Sequence, residues 1–261
     1  MRAELSVPLG ALWSFLLVLT RVGSALALVP LPGIRGGPEP ARVVLALGFT
    51  AALYPLWPPA PAVQPGPGQL LLWLAAEAAF GLSVGVAVAF LNEGLLMACQ
   101  ILGLQAGYSY AAMVDPSTQA DSNVLQVMAH LLAGWLFFAF GLDRQVLRIF
   151  AQSFEAFPPG GFALRLSSAQ GLLALGAGMF STGLRLALPV VALMTVVDIT
   201  LALLGRVHAQ MQLLMLAFPV KMLAALALLA AVLTMAVPLF RAGAERTMTA
   251  LAGMLARAPG M

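Results

Sequence analysis

Apolar runs of span length recur along the chain, separated by short breaks rich in proline, glycine or charge. Val7 to Leu31 is apolar except for Arg21. Ser24-Ala25-Leu26-Ala27 resembles a small-residue cleavage site, but Glu4 dilutes the positive start and Arg21 interrupts the run. The pattern therefore predicts a retained membrane helix rather than a signal peptide. A breaker-rich loop, Leu31 to Pro40, follows. Val43 to Trp57 is a second apolar segment, short for a full span, ending in Tyr54 and Trp57 where interfacial aromatics are expected. After an uncharged Pro/Gly loop, Pro58 to Gly68, the run Leu70 to Leu91 is long enough to span and contains Glu77. Gly94 to Val114 is also uncharged, but Gln100, Gln105, Ser109 and three glycines dilute it. That dilution predicts irregular backbone, buried against protein or lining a cavity, rather than a lipid-facing helix.

The second half follows the same logic. Asp115-Pro116-Ser117-Thr118 places an N-cap and a first-position proline before the next run, Val124 to Leu142, which contains His130. From Arg144 to Phe157 the pattern becomes amphipathic. Val146, Leu147, Phe150, Phe154 and Phe157 share one helical face, and Arg144, Gln145, Arg148, Gln152 and Glu155 share the other. Pro158-Pro159-Gly160-Gly161 stops it. Leu172 to Leu204 is over-long for one simple span and is interrupted by Arg185, Pro189 and Asp198. Gly205 to Gln212 is a polar tip, and Leu213 to Phe240 is the last run, with Pro219, Lys221 and Pro238. The pattern predicts about six hydrophobic helices in all. The bias of Lys and Arg near their ends puts both termini on the cytoplasmic side.

Composition sharpens the class. Of 261 residues, 61% are hydrophobic and only 9% charged, against roughly 25% charged in an ordinary soluble domain. So few charges do not cover a water-facing surface, which excludes a soluble enzyme, a disordered chain and a coiled coil. The runs are continuous rather than alternating, which excludes a membrane β-barrel. The fold class expected is an all-α membrane protein. A net charge of +3 without clustered Lys, Arg and aromatics is no nucleic-acid signal. One cysteine, Cys99, forms no internal disulfide, and no metal-ligand spacing exists, so neither a metal nor a cofactor is expected.

Few residues carry candidate chemistry. Gly81-Leu82-Ser83-Val84-Gly85 matches the hydrolase pattern GxSxG, which requires a sharp strand-to-helix turn. Inside an apolar helix, Gly81 and Gly85 read instead as the small-residue spacing that lets helices approach. An intramembrane serine protease, with His130 or His208 as base, is the lesser reading, and His130 reads as a helix-packing histidine. Asp198 and Lys221 lie about seven and nine residues out from the Gly205–Gln212 tip. In an antiparallel hairpin they reach nearly one depth, so they are expected to form a buried charge pair, more an assembly staple than a proton or ion site. Arg21, Glu77 and Arg185 are further candidates for pairing between helices or subunits, with no partner identifiable. A stand-alone ion-coupled transporter with its site at Asp198 and Lys221 is the alternative on these residues alone.

Three stretches together carry a family pattern. They are Gly103-Leu104-Gln105-Ala106-Gly107-Tyr108-Ser109-Tyr110-Ala111-Ala112-Met113-Val114-Asp115-Pro116, then Ser153-Phe154-Glu155-Ala156-Phe157-Pro158, and a C-terminal set. The C-terminal set comprises Ala187-Leu188-Pro189, Asp198 to Arg206, Gln210-Met211-Gln212 and Phe218-Pro219-Val220-Lys221. In this order and spacing the chain resembles the FliR/SctT family of type III export-gate proteins, and the Gln105 to Pro116 segment favours its flagellar branch. The resemblance implies a non-enzymatic gate subunit in the bacterial inner membrane, within the flagellar basal body. Its implied partners are FliP and FliQ in one hetero-oligomer, FlhB and FlhA, membrane lipid and the unfolded rod, hook and filament proteins that pass through. It implies helical hairpins, with a FliP-like part over 1–165 and a FliQ-like hairpin and tail over 166–261. It also implies that segment 94–116 plugs the channel, with Gly103, Gln105, Gly107, Tyr108, Tyr110, Met113, Asp115 and Pro116 in the plug. Arg206, Gln210 and Gln212 then form a hairpin tip that touches other subunits. Tyr110 and Met113 stand where relatives carry phenylalanine, and Ala209 replaces a tip proline.

Overall fold

The computed structural model describes residues 9–29, 39–58, 66–107, 124–158, 160–163, 165–207 and 213–256. Among them are seven α-helices and no strand: α1 Leu9–Leu28, α2 Glu39–Ala52, α3 Pro67–Ala106, α4 Val124–Ala139, α5 Leu142–Ala156, α6 Leu166–Val207 and α7 Leu213–Ala256. Four helices are long and apolar enough to cross a membrane: Gly10–Leu28 and the long stretches of α3, α6 and α7. A helix pair, α4 with α5, makes up to five, and α2 falls short of span length. This is the all-α membrane architecture that the uncharged runs predict.

The long helices differ from expectation in their continuity. α3 runs unbroken through Gly94 to Ala106, where irregular backbone was expected. Gly103 keeps helical backbone and is buried, and the helix ends only at Gly107, whose φ is 83°. Glycine tolerates that left-handed conformation and other residues do not. The glycines upstream serve close packing instead of bending. A Cβ on Gly94 would lie 3.2 Å from the Met179 carbonyl oxygen, and one on Gly183 would lie 3.1 Å from that of Gly94. α6 likewise continues through Arg185, Pro189 and Asp198. With 40, 42 and 44 residues, α3, α6 and α7 are about 60–66 Å long at 1.5 Å per residue.

The chain divides into two compact units, each built from several segments. The first comprises Met1–Ala89, Gly141–Leu175 and Glu245–Met261. In it α1 lies against α3 with almost no gap. A Cβ on Gly81 would fall 2.0 Å from Ser24 Oγ and 2.1 Å from the Arg21 carbonyl oxygen, and one on Gly85 would fall 2.8 Å from that of Ala25. Small residues are what allow helix backbones to meet where lipid supplies no hydrophobic drive between them. The amphipathic α5 buries Val146, Ile149, Phe150 and Phe154 and exposes Arg144, Gln145, Arg148, Gln152 and Glu155, the polar face expected. Phe80 of α3 is the hub of its core, with ring centroids 6.2, 6.1 and 5.2 Å from Phe150, Phe157 and Phe162. Trp57 also packs within the chain. Its indole N–H donates to the Thr50 carbonyl at 2.9 Å and its ring lies 5.6 Å from Phe15, because the turn after α2 folds back on α1.

The second unit comprises Phe90–Phe140 and Gly176–Ala244. It holds the C-terminal part of α3 from Phe90, all of α4, and most of α6 and α7. Its core is aliphatic and small: Leu95, Leu96, Leu102, Leu136, Leu186, Val190, Met194 and Val232 are nearly inaccessible. Phe140 stacks on Phe240 at 6.2 Å. The outer faces are apolar too, with Leu131, Trp135, Leu188, Val196, Leu203 and Leu223 each more than half exposed.

Gly81→Ala should destabilise the first unit by about 1–3 kcal/mol, because the Ser24 hydroxyl could turn away but the Arg21 carbonyl is backbone and cannot swing aside. Gly48→Ala in α2 meets nothing within 4 Å and should be neutral or mildly stabilising. Thermal unfolding of the solubilised protein distinguishes them, and equal effects would refute close α1–α3 contact.

Candidate functional site

Two polar clusters interrupt the apolar interior, one in each unit. In the first, Arg21 of α1 and Glu77 of α3 are each only 1% exposed. Arg21 Nε donates to Glu77 Oε2, and Nη2 donates to Oε1 at 3.0 Å. This bidentate geometry is the strongest form of the pair. The remaining valences are filled. Arg21 Nη1 donates to Ser153 Oγ at 2.9 Å, and Ser153 in turn donates to the Phe150 carbonyl at 2.7 Å. Arg21 Nη2 reaches the Phe157 carbonyl at 3.3 Å, and the Gly160 N–H donates to Glu77 Oε1 at 3.0 Å. The guanidinium carbon stands 5.1 and 4.8 Å from the ring centres of Phe80 and Phe154. Gly160 has φ 74°, and a Cβ there would lie 2.0 Å from the Trp73 ring. One ion pair thus joins α1, α3, α5 and the turn after α5. Buried, with a partner on each side-chain nitrogen and oxygen, it is a cross-link between helices.

Sequence reasoning named both residues but did not join them. The signal was present: Arg21 is the single charge in its run and Glu77 the single charge in its own, with opposite signs. A charge left alone in such a setting is costly, so two lone opposite charges are natural partners.

In the second unit, Lys221 Nζ of α7 lies 2.5 Å from Asp198 Oδ1 of α6. Gln105 Nε2, from the last turn of α3, lies 3.5 Å from Asp198 Oδ2. The pair is half-open rather than buried, with side chains 21% exposed at Lys221 and 38% at Asp198. Along α6 towards the tip, Val196, Ile199, Leu203 and Leu204 are exposed. Gln105 ties this pair to the point where the chain leaves α3, two residues before Gly107. Arg206 is exposed in the last turn of α6, where a cation suits the helix dipole. Tyr108, Tyr110, Met113, Asp115, Pro116, His208, Gln210 and Gln212 lie outside the described residues.

The hydrolase pattern dissolves in the structure. Ser83 sits mid-helix in α3, donating to the Ala79 carbonyl at 2.7 Å, and the turn a nucleophile elbow requires is absent there. Among the described residues no group of three or more His, Cys, Asp or Glu side chains is placed to hold a metal ion.

Arg21→Met and Glu77→Met should each destabilise the fold by about 3–5 kcal/mol by stranding a buried charge, while the double substitution recovers most of the loss. Thermal unfolding of the four proteins checks this, and additive losses would show that the two side chains act independently.

A family described as bacterial export proteins, family 1, matches residues 12–247. The chain is 29% identical over 227 residues to flagellar biosynthetic protein FliR of Escherichia coli K12, covering 87% of this chain and 85% of that protein. It is 28% identical over 222 residues to the protein of that name from Caulobacter vibrioides, covering 82% and 86%. For the Bacillus subtilis protein the figures are 24% over 217 residues, covering 80% and 81%. The family match takes in both polar clusters and nearly every described helix. With export rather than catalysis as the family's description, the chain belongs to the bacterial export proteins, family 1.

Proposed function

We propose that the chain is a non-enzymatic subunit of the flagellar type III protein export gate. With FliP and FliQ it forms the channel through which unfolded rod, hook and filament proteins leave the cytoplasm, in contact with FlhB and FlhA, in the bacterial inner membrane. The flagellar relatives and the export family support the setting. One physical observation carries the assembly. Apolar residues are exposed along α3, α6 and α7 from Leu71 to Leu104, Leu166 to Leu204 and Val220 to Val237. Helices of about 60 Å are twice the roughly 30 Å of hydrocarbon that a bilayer offers. Sister subunits cover what lipid does not.

Within this reading 1–165 is the FliP-like part and 166–261 the FliQ-like hairpin and tail. The Asp198–Lys221 pair staples that hairpin, and its open side meets a neighbouring subunit along with Arg206, Gln210 and Gln212. Segment 94–116 divides in two. Its first part, including Gly103 and Gln105, is a helical stem, and the segment from Gly107 is the plug. Tyr108, Tyr110 and Met113 fill the lumen, while Asp115 and Pro116 begin the return. Bulky side chains at a narrow constriction exclude water and ions.

Replacing Tyr110 and Met113 together with Ala should raise ion leakage through the assembled gate several-fold, read as membrane conductance in cells that make all three subunits. Unchanged conductance would remove the plug from this segment.

A further inference from the structure

The outer face of α6 carries a regular stripe. Residues 185, 188, 192, 196, 199, 203 and 206 recur at steps of three and four, which places them on one side of the helix. They read Arg185, Leu188, Ala192, Val196, Ile199, Leu203 and Arg206, and all are exposed. The stripe is therefore apolar between two arginines. From Arg185 to Arg206 it measures about 31 Å at 1.5 Å per residue, against a hydrocarbon thickness of about 30 Å. Arg185 makes no ion pair among the described residues. Asp198, the charge within this stretch, lies off the stripe and is turned to Lys221. The two exposed threonines beside the stripe keep their hydroxyls inside the helix, Thr195 donating to the Val191 carbonyl and Thr200 to the Val196 carbonyl, each at 2.8 Å. Internal satisfaction of this kind is what hydrocarbon demands.

The polar level at Arg185 is marked a second time by backbone. Pro189 has no N–H, so the Arg185 carbonyl four residues earlier lacks its helical donor. In α7, Pro238 does the same to the carbonyl of Thr234. Counting thirteen residues from the Asp198–Lys221 pair along each helix leads to 185 on α6 and 234 on α7. Both freed carbonyls thus lie near one depth, beside an exposed guanidinium and an exposed threonine. Carbonyls released by proline at one depth, beside a guanidinium, make this a polar level. On the far side of that level α6 exposes Ser181 and α7 exposes Arg241.

We propose that bilayer hydrocarbon covers the α6–α7 hairpin only along its tip-side half, from the level of Arg185 and Thr234 to Arg206, and that lipid phosphates hold Arg185 at that leaflet surface. Lipid is favoured over a protein partner because the length of the stripe, its charged ends and its internally bonded hydroxyls all match a bilayer, and a docking helix would require none of these. A guanidinium is the side chain best shaped to take a phosphate in two hydrogen bonds.

The test is site-specific photo-crosslinking in cells that make the full chain with its partners. Benzoylphenylalanine is placed singly at Leu173, Phe180, Leu188, Val196 or Leu203, and adducts are identified by mass spectrometry. Phospholipid adducts are expected at Val196 and Leu203, several-fold above those at Leu173 and Phe180. Arg185→Leu should extend lipid adducts to Phe180, a shift of at least one helical turn, and Arg185→Lys should not. Protein adducts in place of lipid at Val196 and Leu203, or equal lipid adducts from Leu173 to Leu203, would overturn the proposal. An Arg185→Leu variant that accumulates normally with an unmoved boundary would overturn the role of Arg185. Should that variant fail to accumulate, the scan of the unsubstituted stripe still decides where lipid ends.

Discussion

Helix length set against bilayer thickness governs this protein. Three helices of 40 to 44 residues are apolar on their outer faces for most of their length, and no single bilayer hides all of that surface. Everything else follows from how the surplus is covered. Inside the chain, small residues bring backbones together, as at Gly81 against α1 and Gly94 against α6. Outside it, the proposed division of the remaining surface is between lipid and other subunits.

The two polar clusters express that division. Arg21 and Glu77 are matched within the chain: each side-chain nitrogen and oxygen has a partner, and the pair is sealed under phenylalanines. A buried pair adds little net stability over an apolar substitute, but it penalises every arrangement in which one partner is missing. It therefore fixes how α1, α3 and α5 come together. Asp198 and Lys221 are matched to each other and to Gln105, yet stay half-open. Their position beside Gln105 ties the α6–α7 hairpin to the point where α3 ends.

Much of the fold was legible because apolar surface is expensive to leave uncovered, and the chain's few charges are informative. The polar face of α5 could be read from five side chains between Arg144 and Glu155. The shared depth of Asp198 and Lys221 followed from counting outwards from the tip, while their openness did not, since exposure depends on neighbours that a sequence does not show. The partnership of Arg21 with Glu77 was missed because 56 residues separate them and no hairpin tip sets their register. The stretch from Gly94 to Ala106 is largely buried, as its dilution predicts, but its backbone is helical rather than irregular, for a chemical reason. Glycine and glutamine lower helix and lipid preference locally, but Gly94 is there for contact with α6, and contact with a partner helix overrides propensity. The packing of Trp57 on Phe15 and Thr50 was not legible, since an indole suits a lipid interface and a fold-back turn equally well.

The account stands on sister subunits covering apolar surface around a shared conduit. Its most direct test is the mass of the intact complex after co-expression with FliP and FliQ, alongside the full chain produced alone. The account expects one complex of defined mass holding all three proteins, and an ill-behaved, aggregating chain in isolation. A solitary chain that is monodisperse and well ordered, with neither FliP nor FliQ bound when they are present, would contradict it.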